Sequence, residues 1–209
     1  RGSTTNRSNQ MINIGTNVEH TALGHPKIIS NNSGSIGVYA DGPYNVIFAD
    51  GEIKSVSTAL SLQPYYYSSY SKYPLNLYMG TIYVDGQSAN PYIESTNGYG
   101  IVFSGNSSIN NNIDIYRGTV KAYNNAINTT NGNYLINIGD HNDTDMKPTN
   151  PHIEGGTYGI NTSSSTSNYQ QVNIYDGEII GATGKSQVGG VKYIEDGFTL
   201  MTTSIGSGK

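Results

Sequence analysis

The sequence predicts an all-β fold, a right-handed parallel β-helix (β-solenoid) of about three super-repeats, each of roughly 60 residues. Three observations lead to this prediction. Short apolar motifs recur along the chain. The motifs recur in a fixed order at long intervals. The composition, rich in Gly, Asn, Ser, Thr and Tyr, disfavours helix.

The most frequent motif has eight positions: apolar, any, apolar, often Tyr, any, Gly, any, apolar. Four copies occupy residues 46–53, 75–82, 113–120 and 172–179. Because side chains alternate between the two faces of a strand, each copy places its apolar residues on one face. The Gly of each copy predicts a bend between strands, where φ is positive or another backbone passes close.

Two further motifs interleave with the first. Pro-any-Ile segments begin at residues 26, 91 and 151, and apolar-Asn-apolar segments begin at residues 12, 75 and 136. Together with the glycines at 51, 118 and 177, these positions recur 59 to 67 residues apart, which defines the super-repeat. The closest neighbouring motifs, at Gly156 and Gly177, are 21 residues apart. This spacing predicts about three coils per super-repeat and roughly nine coils in all.

Each predicted strand is too short to be stable alone. Stacking successive coils pairs each strand with its equivalents about 4.8 Å above and below, and it aligns their apolar side chains in ladders. Equivalent strands then run in the same direction, so the sheets are predicted to be parallel. An antiparallel sandwich or propeller is the alternative, because hairpin turns are available at Asp50-Gly51, Asp176-Gly177 and Asp196-Gly197.

The whole chain, residues 1–209, is predicted to form a single solenoid domain. Residues 1–10 are polar and suit an N-terminal cap or tail. Residues 191–209 suit a C-terminal cap, since uncovered terminal strands would let copies stack end to end. Residues 63–74 interrupt the period with five Tyr and no strand pattern, which predicts a loop on the side of the solenoid.

Charge and composition argue against several classes of protein. Charged residues make up 12% of the chain, the net charge is −4 and no basic cluster is present, so nucleic acid is not a predicted partner. No apolar run reaches the roughly 20 residues of a membrane helix, so membrane insertion is not predicted. There is no Cys for disulfides or thiol chemistry. The start at Arg1 lacks an apolar targeting segment, which is predicted to be absent from this chain.

Parallel β-helices include enzymes that cleave polysaccharides, and such chemistry needs carboxylates that converge on one face. The acidic candidates near the glycines of the eight-residue motif are Asp50, Glu52, Asp176 and Glu178. A third copy has Arg117 instead, which suits a solvated turn or an anion-binding cation. The motif therefore does not place a continuous row of carboxylates on one face, and no catalytic residues are predicted.

The segment 139–145 resembles an oxygen-rich calcium loop. Its carboxylate and amide oxygens belong to Asp140, Asn142, Asp143 and Asp145. The central Gly and the distal bidentate Glu of a calcium loop are missing, so a plain acidic loop is the alternative. The equivalent loop of the first super-repeat, residues 16–20, has one acid. The four His residues have no metal-ligand spacing.

Tyrosine is the residue most suited to recognition, because its flat ring and polar tip favour contacts with sugars and proteins. The predicted ligand-binding residues all lie in the insertion: Tyr65, Tyr66, Tyr67, Tyr70 and Tyr73. By contrast, Tyr78, Tyr116 and Tyr175 recur at one motif position, which predicts a structural stack along the solenoid.

The motifs at 136–139, 151–153, 158–160, 174–182 and 193–198 follow one another in an order that resembles repeats of surface and appendage proteins of Gram-positive Firmicutes. The resemblance covers most of the chain and implies an extracellular, cell-surface location. It also implies an adhesive or filament-forming role, and it carries no catalytic residues.

The expected function is that of an extracellular structural or adhesive module, either a segment of an adhesin or a fibre subunit. Its expected partners are copies of itself, in end-to-end or lateral association, and glycans or surface proteins of host or neighbouring cells. The alternative is a carbohydrate-binding or polysaccharide-cleaving β-helix protein. No cofactor is expected apart from calcium in the loop described above.

Overall fold

A computed structural model describes residues 11–17, 21–42, 44–63, 74–81, 83–84, 87–104, 110–130, 132–140, 150–162, 170–181 and 191–194. Over these residues the chain is a right-handed parallel β-helix with twenty strands and no helix. The predicted fold class is therefore confirmed, including the division into about three super-repeats.

Three parallel sheets form the sides of the solenoid. The first has seven strands: β1 (Met11–Ile14), β4 (Asn45–Phe48), β7 (Asn76–Met79), β12 (Asn110–Ile115), β15 (Asn133–Ile138), β18 (Gln170–Ile174) and β20 (Val191–Ile194). The second has six: β2 (Lys27–Ser30), β5 (Glu52–Ser55), β10 (Tyr92–Ser95), β13 (Thr119–Ala122), β16 (His152–Gly155) and β19 (Glu178–Gly181). The third has five: β3 (Ile36–Asp41), β6 (Thr58–Gln63), β11 (Tyr99–Phe103), β14 (Ile127–Thr129) and β17 (Ile160–Asn161). A hairpin of β8 (Tyr83–Val84) and β9 (Gln87–Ser88) lies between β7 and β10.

Each coil passes through the three sheets in turn. Coil 1 consists of β1, β2 and β3, coil 2 of β4 to β6, coil 3 of β7, β10 and β11, coil 4 of β12 to β14, and coil 5 of β15 to β17. Coil 6 contributes β18 and β19, and coil 7 contributes β20. Every pairing within the three sheets is parallel, for example β4 with β7 and β10 with β13. The antiparallel alternative is wrong, because Asp50-Gly51 and Asp176-Gly177 form corners between two sheets of one coil.

The core consists of apolar side chains that stack on their equivalents in the next coil. One ladder of the second sheet contains Ile28, Ile53, Ile93, Val120, Ile153 and Ile179. One ladder of the first sheet contains Val46, Leu77, Ile113, Ile136 and Val172. Apart from Ile28 in coil 1, all of these side chains are fully buried. Burial of apolar area stabilises the solenoid by about 25 cal/mol per Å².

Glycine is required at the short corners between the first and second sheets. Gly51, Gly118 and Gly177 have φ of +101°, +99° and +100°. A Cβ atom on these residues would lie 2.2 to 2.5 Å from the carbonyl oxygen of the Pro stacked in the preceding coil. The prediction of a positive φ and a close backbone approach is confirmed at each of these corners.

The super-repeat contains two coils, so the prediction of three coils per super-repeat and nine in all is wrong. The corner between the first and second sheets is long in coils 1, 3 and 5, at residues 15–26, 80–91 and 139–151. It has three residues in coils 2, 4 and 6, at 49–51, 116–118 and 175–177. Gly156 lies in the corner between the second and third sheets of coil 5, whereas Gly177 lies in the corner between the first and second sheets of coil 6, so the 21-residue spacing is shorter than one coil.

One copy of the eight-residue motif was aligned two residues out of register. Leu77 pairs with Val46 and Ile113, the positions at which the motif begins, whereas the prediction placed Leu75 there. Consequently Tyr78 pairs with Asp114. Tyr116 comes directly after β12 and lies opposite Gly80 of the preceding coil. The predicted stack of Tyr78, Tyr116 and Tyr175 is therefore wrong.

The two predicted caps lie mostly outside the described residues. Residues 1–10 are outside them, as are residues 195–209. The described part of the C-terminal segment is β20, which pairs in parallel with β18 and extends the first sheet by one strand.

Candidate functional site

The outer surface of the second sheet carries two parallel rows of side chains, which together we call the charged face. Its first row, from coil 1 to coil 6, is Lys27, Glu52, Tyr92, Thr119, His152 and Glu178. Its second row is Ile29, Lys54, Glu94, Lys121, Glu154 and Ile180. These residues alternate with the buried Ile ladder, so the two-residue period of the strands directs them outward. The charged face therefore extends over all six strands of the second sheet.

One half of the charged face is centred on Lys54. Its Nζ atom lies 3.3 Å from Glu94 Oε2 and also contacts the carboxylate of Glu52. It stands 5.2 Å from the centroid of the Tyr92 ring, a cation–π distance. Lys27 Nζ lies 3.7 Å from Glu52 Oε2, so the network reaches coil 1.

The other half is centred on Glu154. Lys121 Nζ donates hydrogen bonds to both carboxylate oxygens, at 3.0 and 2.9 Å. The ring of His152 connects two acids, with Nδ1 2.7 Å from Glu178 Oε2 and Nε2 3.4 Å from Glu154 Oε2. Charges of opposite sign therefore neighbour each other along the sheet.

The ion pairs shift the pKa values of two acids and two lysines in the direction that keeps these four groups charged. The pKa of Glu52 is lowered mainly because Lys54 donates a hydrogen bond to it, and the pKa of Glu154 is lowered mainly by Lys121. The pKa values of Lys54 and Lys121 are raised, chiefly by their hydrogen bonds to Glu52 and Glu154. Acids held in the ionised form suit electrostatic recognition better than general-acid chemistry.

The four acidic candidates of the eight-residue motif do not meet at one place. Glu52 and Glu178 lie on the charged face in coils 2 and 6, about 19 Å apart at 4.8 Å per coil. Asp50 and Asp176 lie in the corners that precede those strands. Among the described residues no group of three or more His, Asp or Glu residues could hold a metal ion.

Asp50 connects three coils at one corner. It is 4% exposed, and its Oδ2 atom contacts Nδ1 of His25 in coil 1. Its Oδ1 atom accepts a hydrogen bond of 3.2 Å from the backbone N–H of Asn90 in coil 3. Arg117 and Asp176 occupy the equivalent corners of coils 4 and 6, and Asp176 Oδ1 accepts a bond of 2.7 Å from the N–H of Gly177. These contacts stabilise the corners.

A polar ladder runs along the outer surface of the first sheet. Asn173 Nδ2 donates to Asn137 Oδ1 at 2.8 Å, and Asn137 Nδ2 donates to Asp114 Oδ1 at 2.6 Å. Burial raises the pKa of Asp114, and the nearby Asp140 carboxylate adds to that effect. Burial also raises the pKa of Tyr116 to about 12. Asp114 is thus an acid that is followed by the neutral amides of Asn137 and Asn173 in the next two coils.

We expect Asp114→Asn to stabilise the protein at neutral pH, by on the order of 0.5 kcal/mol. A raised folded-state pKa means that ionised Asp114 destabilises the native state at pH 7, and that this cost vanishes below the pKa of the unfolded chain. Asn keeps the acceptor for Asn137. Urea unfolding at pH 7 and pH 3 measures the effect, with Asp41→Asn on the third sheet as the control for a lost negative charge. An equal gain at both pH values would contradict the assignment.

Several predicted site residues lie outside the described residues. They are Tyr65, Tyr66, Tyr67, Tyr70 and Tyr73 of the insertion, and Asn142, Asp143 and Asp145 of the proposed calcium loop. The insertion joins β6 to β7, from the third sheet of coil 2 to the first sheet of coil 3. Asp140 is described and begins the long corner of coil 5 after Gly139. Both predictions stay predictions.

The charged face was missed from the sequence. Its signal is an alternation of Lys and Glu at residues 54, 94, 121 and 154, which are 27 to 40 residues apart. The alternation becomes visible only when the strands of the second sheet are aligned on their buried Ile or Val. That alignment needs the corner lengths, which vary from coil to coil.

Comparisons of this chain with protein families, with curated proteins and with solved structures found no match. Within the described residues there is no helix that is long and apolar enough to cross a membrane.

Proposed function

We propose that this protein is an extracellular structural or adhesive module, a segment of an adhesin or a subunit of a filament on a bacterial cell surface. The observation that supports this role most is the charged face, on which acids and bases pair with each other along most of a rigid sheet. Such a surface suits contact with a protein or another copy more than turnover of a substrate. The likeness of the motifs to Firmicutes surface repeats agrees with this role.

The end of the solenoid at coil 1 supports end-to-end association. Ile12, Ile28 and Val38 point inward but are only partly buried, whereas their partners in coil 2 are fully buried. Among the described strands, all three sheets also end at this coil, with β1, β2 and β3 as edge strands. Edge strands with apolar neighbours are templates for pairing with another chain.

We expect negative-stain electron microscopy of the protein over a concentration series to show fibres formed by end-to-end stacking. Ile28→Lys should abolish them, because the Lys side chain reaches solvent at a free end but is buried beneath a stacked copy. Ile29→Lys is the matched control, since the neighbouring side chain points outward and is 53% exposed. Isolated rods at every concentration would overturn end-to-end assembly.

Carbohydrate binding is the second candidate function. Three of the exposed large side chains are tyrosines, at Tyr39, Tyr99 and Tyr123, with 52%, 36% and 62% of their surface exposed. Exposed aromatic rings suit stacking on sugars. A glycan array distinguishes the two candidates: selective binding that is lost in Tyr123→Ala would favour this function over the structural one.

A further inference from the structure

The order of charges on the charged face is the same from either end, with the sign reversed. In the second row, Lys54 and Glu154 lie at equal distances from the midpoint between coils 3 and 4, and so do Glu94 and Lys121. The row ends in Ile29 at one end and Ile180 at the other.

The first row has the same property. Lys27 in coil 1 corresponds to Glu178 in coil 6, and Glu52 in coil 2 corresponds to His152 in coil 5. The two central residues, Tyr92 and Thr119, are uncharged. Their side chains differ in size, so the ring of Tyr92 in coil 3 corresponds to the small side chain of Thr119 in coil 4. Three mirror pairs of the face thus join opposite charges, Lys54 with Glu154, Glu94 with Lys121 and Lys27 with Glu178.

We propose that the charged face binds a second copy of this chain, related by a two-fold axis that runs parallel to the strands and between coils 3 and 4. Such an axis reverses the direction of the solenoid but keeps each row opposite itself. Lys54 then faces Glu154 of the other copy, Glu94 faces Lys121, and Lys27 faces Glu178. Because a two-fold interface repeats each contact, every pair occurs twice. The inference deepens the proposed structural role and rests on it.

The second row alone is weak support, because alternating charges also neutralise each other within one chain. The first row adds a separate observation, because Lys27 and Glu178 each contact a neighbour in their own chain, Glu52 and His152, and still remain partly exposed. Lys27 and Glu178 lie five coils apart, about 24 Å at 4.8 Å per coil, so one chain cannot pair them. Lys27 is 71% exposed and Glu178 37% exposed at the side chain, so both charged ends are accessible to a partner.

Other arrangements of the two faces are less favourable. A shift by one coil places Lys54 opposite Lys121 and Glu94 opposite itself, and facing like charges repel. A parallel arrangement exchanges the rows, so Glu52 opposite Lys54 is its one pair of fully charged groups, while Lys27 lies opposite Ile29 and Glu178 opposite Ile180. The antiparallel arrangement centred between coils 3 and 4 is therefore the one that the charges select.

The size of the face predicts a weak dimer. Four residues by six strands, at about 3.3 Å and 4.8 Å, cover roughly 380 Å² per copy. A standard interface buries about 800 Å² on each partner, so this face is about half that size and we expect a dimer that forms only at high protein concentration. On a surface that displays many copies, such contacts add by multivalency and hold neighbouring rods side by side.

The test is a charge exchange at the two ends of the face. In Lys27→Glu the new carboxylate lies opposite Glu178 of the other copy, and in Glu178→Lys the new ammonium group lies opposite Lys27. We expect each variant alone to dimerise at least about tenfold more weakly than the native chain in sedimentation equilibrium at low salt. Their equimolar mixture should recover the native affinity, because both mixed contacts pair opposite charges. The double variant Lys27→Glu/Glu178→Lys should recover it as well.

Two controls separate this result from other causes. Asp41→Lys changes the net charge as much as Glu178→Lys does but lies on the third sheet, so it should leave the affinity of the dimer close to that of the native chain. Thermal unfolding by circular dichroism confirms that each variant folds. Failure of the mixture to recover affinity, or a native chain that stays monomeric at millimolar concentration, overturns the proposal. If fibres form by end-to-end stacking but the mixture does not recover the native dimer affinity, the structural role is retained and the lateral dimer is ruled out.

Discussion

Replacing Gly118 by Ala is expected to lower the free energy of unfolding by roughly 3 to 5 kcal/mol. Gly118 has φ of +99°, and a Cβ atom there would lie 2.2 Å from the carbonyl oxygen of Pro91. A backbone atom cannot move aside as a side chain can, so coils 3 and 4 would have to separate at this corner. Urea unfolding followed by circular dichroism measures the loss.

Two other glycines allow the two causes of this loss of stability to be separated, namely the positive φ and the close approach to Pro91. Gly34 has φ of +78° but open space around its Cβ position, so Gly34→Ala should cost only the strain of a left-handed conformation, about 1 kcal/mol. Gly24 has open space and no such strain, so Gly24→Ala should change stability by less than about 0.5 kcal/mol. If the Gly118 and Gly34 variants lost the same free energy, the close approach to Pro91 would have no energetic role.

Phe103→Ala is expected to cost about 3 to 5 kcal/mol, because it leaves a cavity in the core of coil 3. The Phe103 side chain is fully buried, and its ring meets that of Tyr134 edge to face, with centroids 5.1 Å apart. Tyr134 OH also donates a hydrogen bond of 3.4 Å to the carbonyl oxygen of Phe103. Loss of the contact should also weaken the near-ultraviolet circular dichroism of the tyrosines.

The matched control is the preceding residue on the same strand. Val102 pairs with Ser61 on the outer surface of the third sheet and is only partly buried, so Val102→Ala should cost about 1 kcal/mol or less. Phe103→Leu keeps most of the volume and should lose less than Phe103→Ala. A loss at Phe103 no larger than that at Val102 would show that the core of coil 3 is not packed as described.

The fold was predictable because its constraints are local and repeated. Apolar residues two positions apart marked β4, β12 and β18, and glycines such as Gly51 marked the corners with positive φ. The number of coils was not predictable in the same way. Long and short corners alternate. Because no ladder constrains the residues of a long corner, the sequence pattern could not distinguish a long corner from an additional coil.

The candidate site was harder to predict for the same reason. Glu52 and Glu178 were recognised as equivalent because they follow the same motif, yet Glu94 and Lys121 belong to the second row, on which no motif was defined. Outward positions have no packing requirement that would make them resemble one another. Their order along the sheet depends on which strands are neighbours, and that depends on the corner lengths.

The alternation of long and short corners has an evolutionary consequence. The long corners of coils 1, 3 and 5 begin at Gly15, Gly80 and Gly139, and each ends at a Pro that immediately precedes the next strand. Since the register of every ladder is fixed outside these segments, insertions and deletions can accumulate in them at little entropic cost. Three segments in alternate coils along one edge can therefore change in length and sequence while the scaffold beneath them stays unchanged.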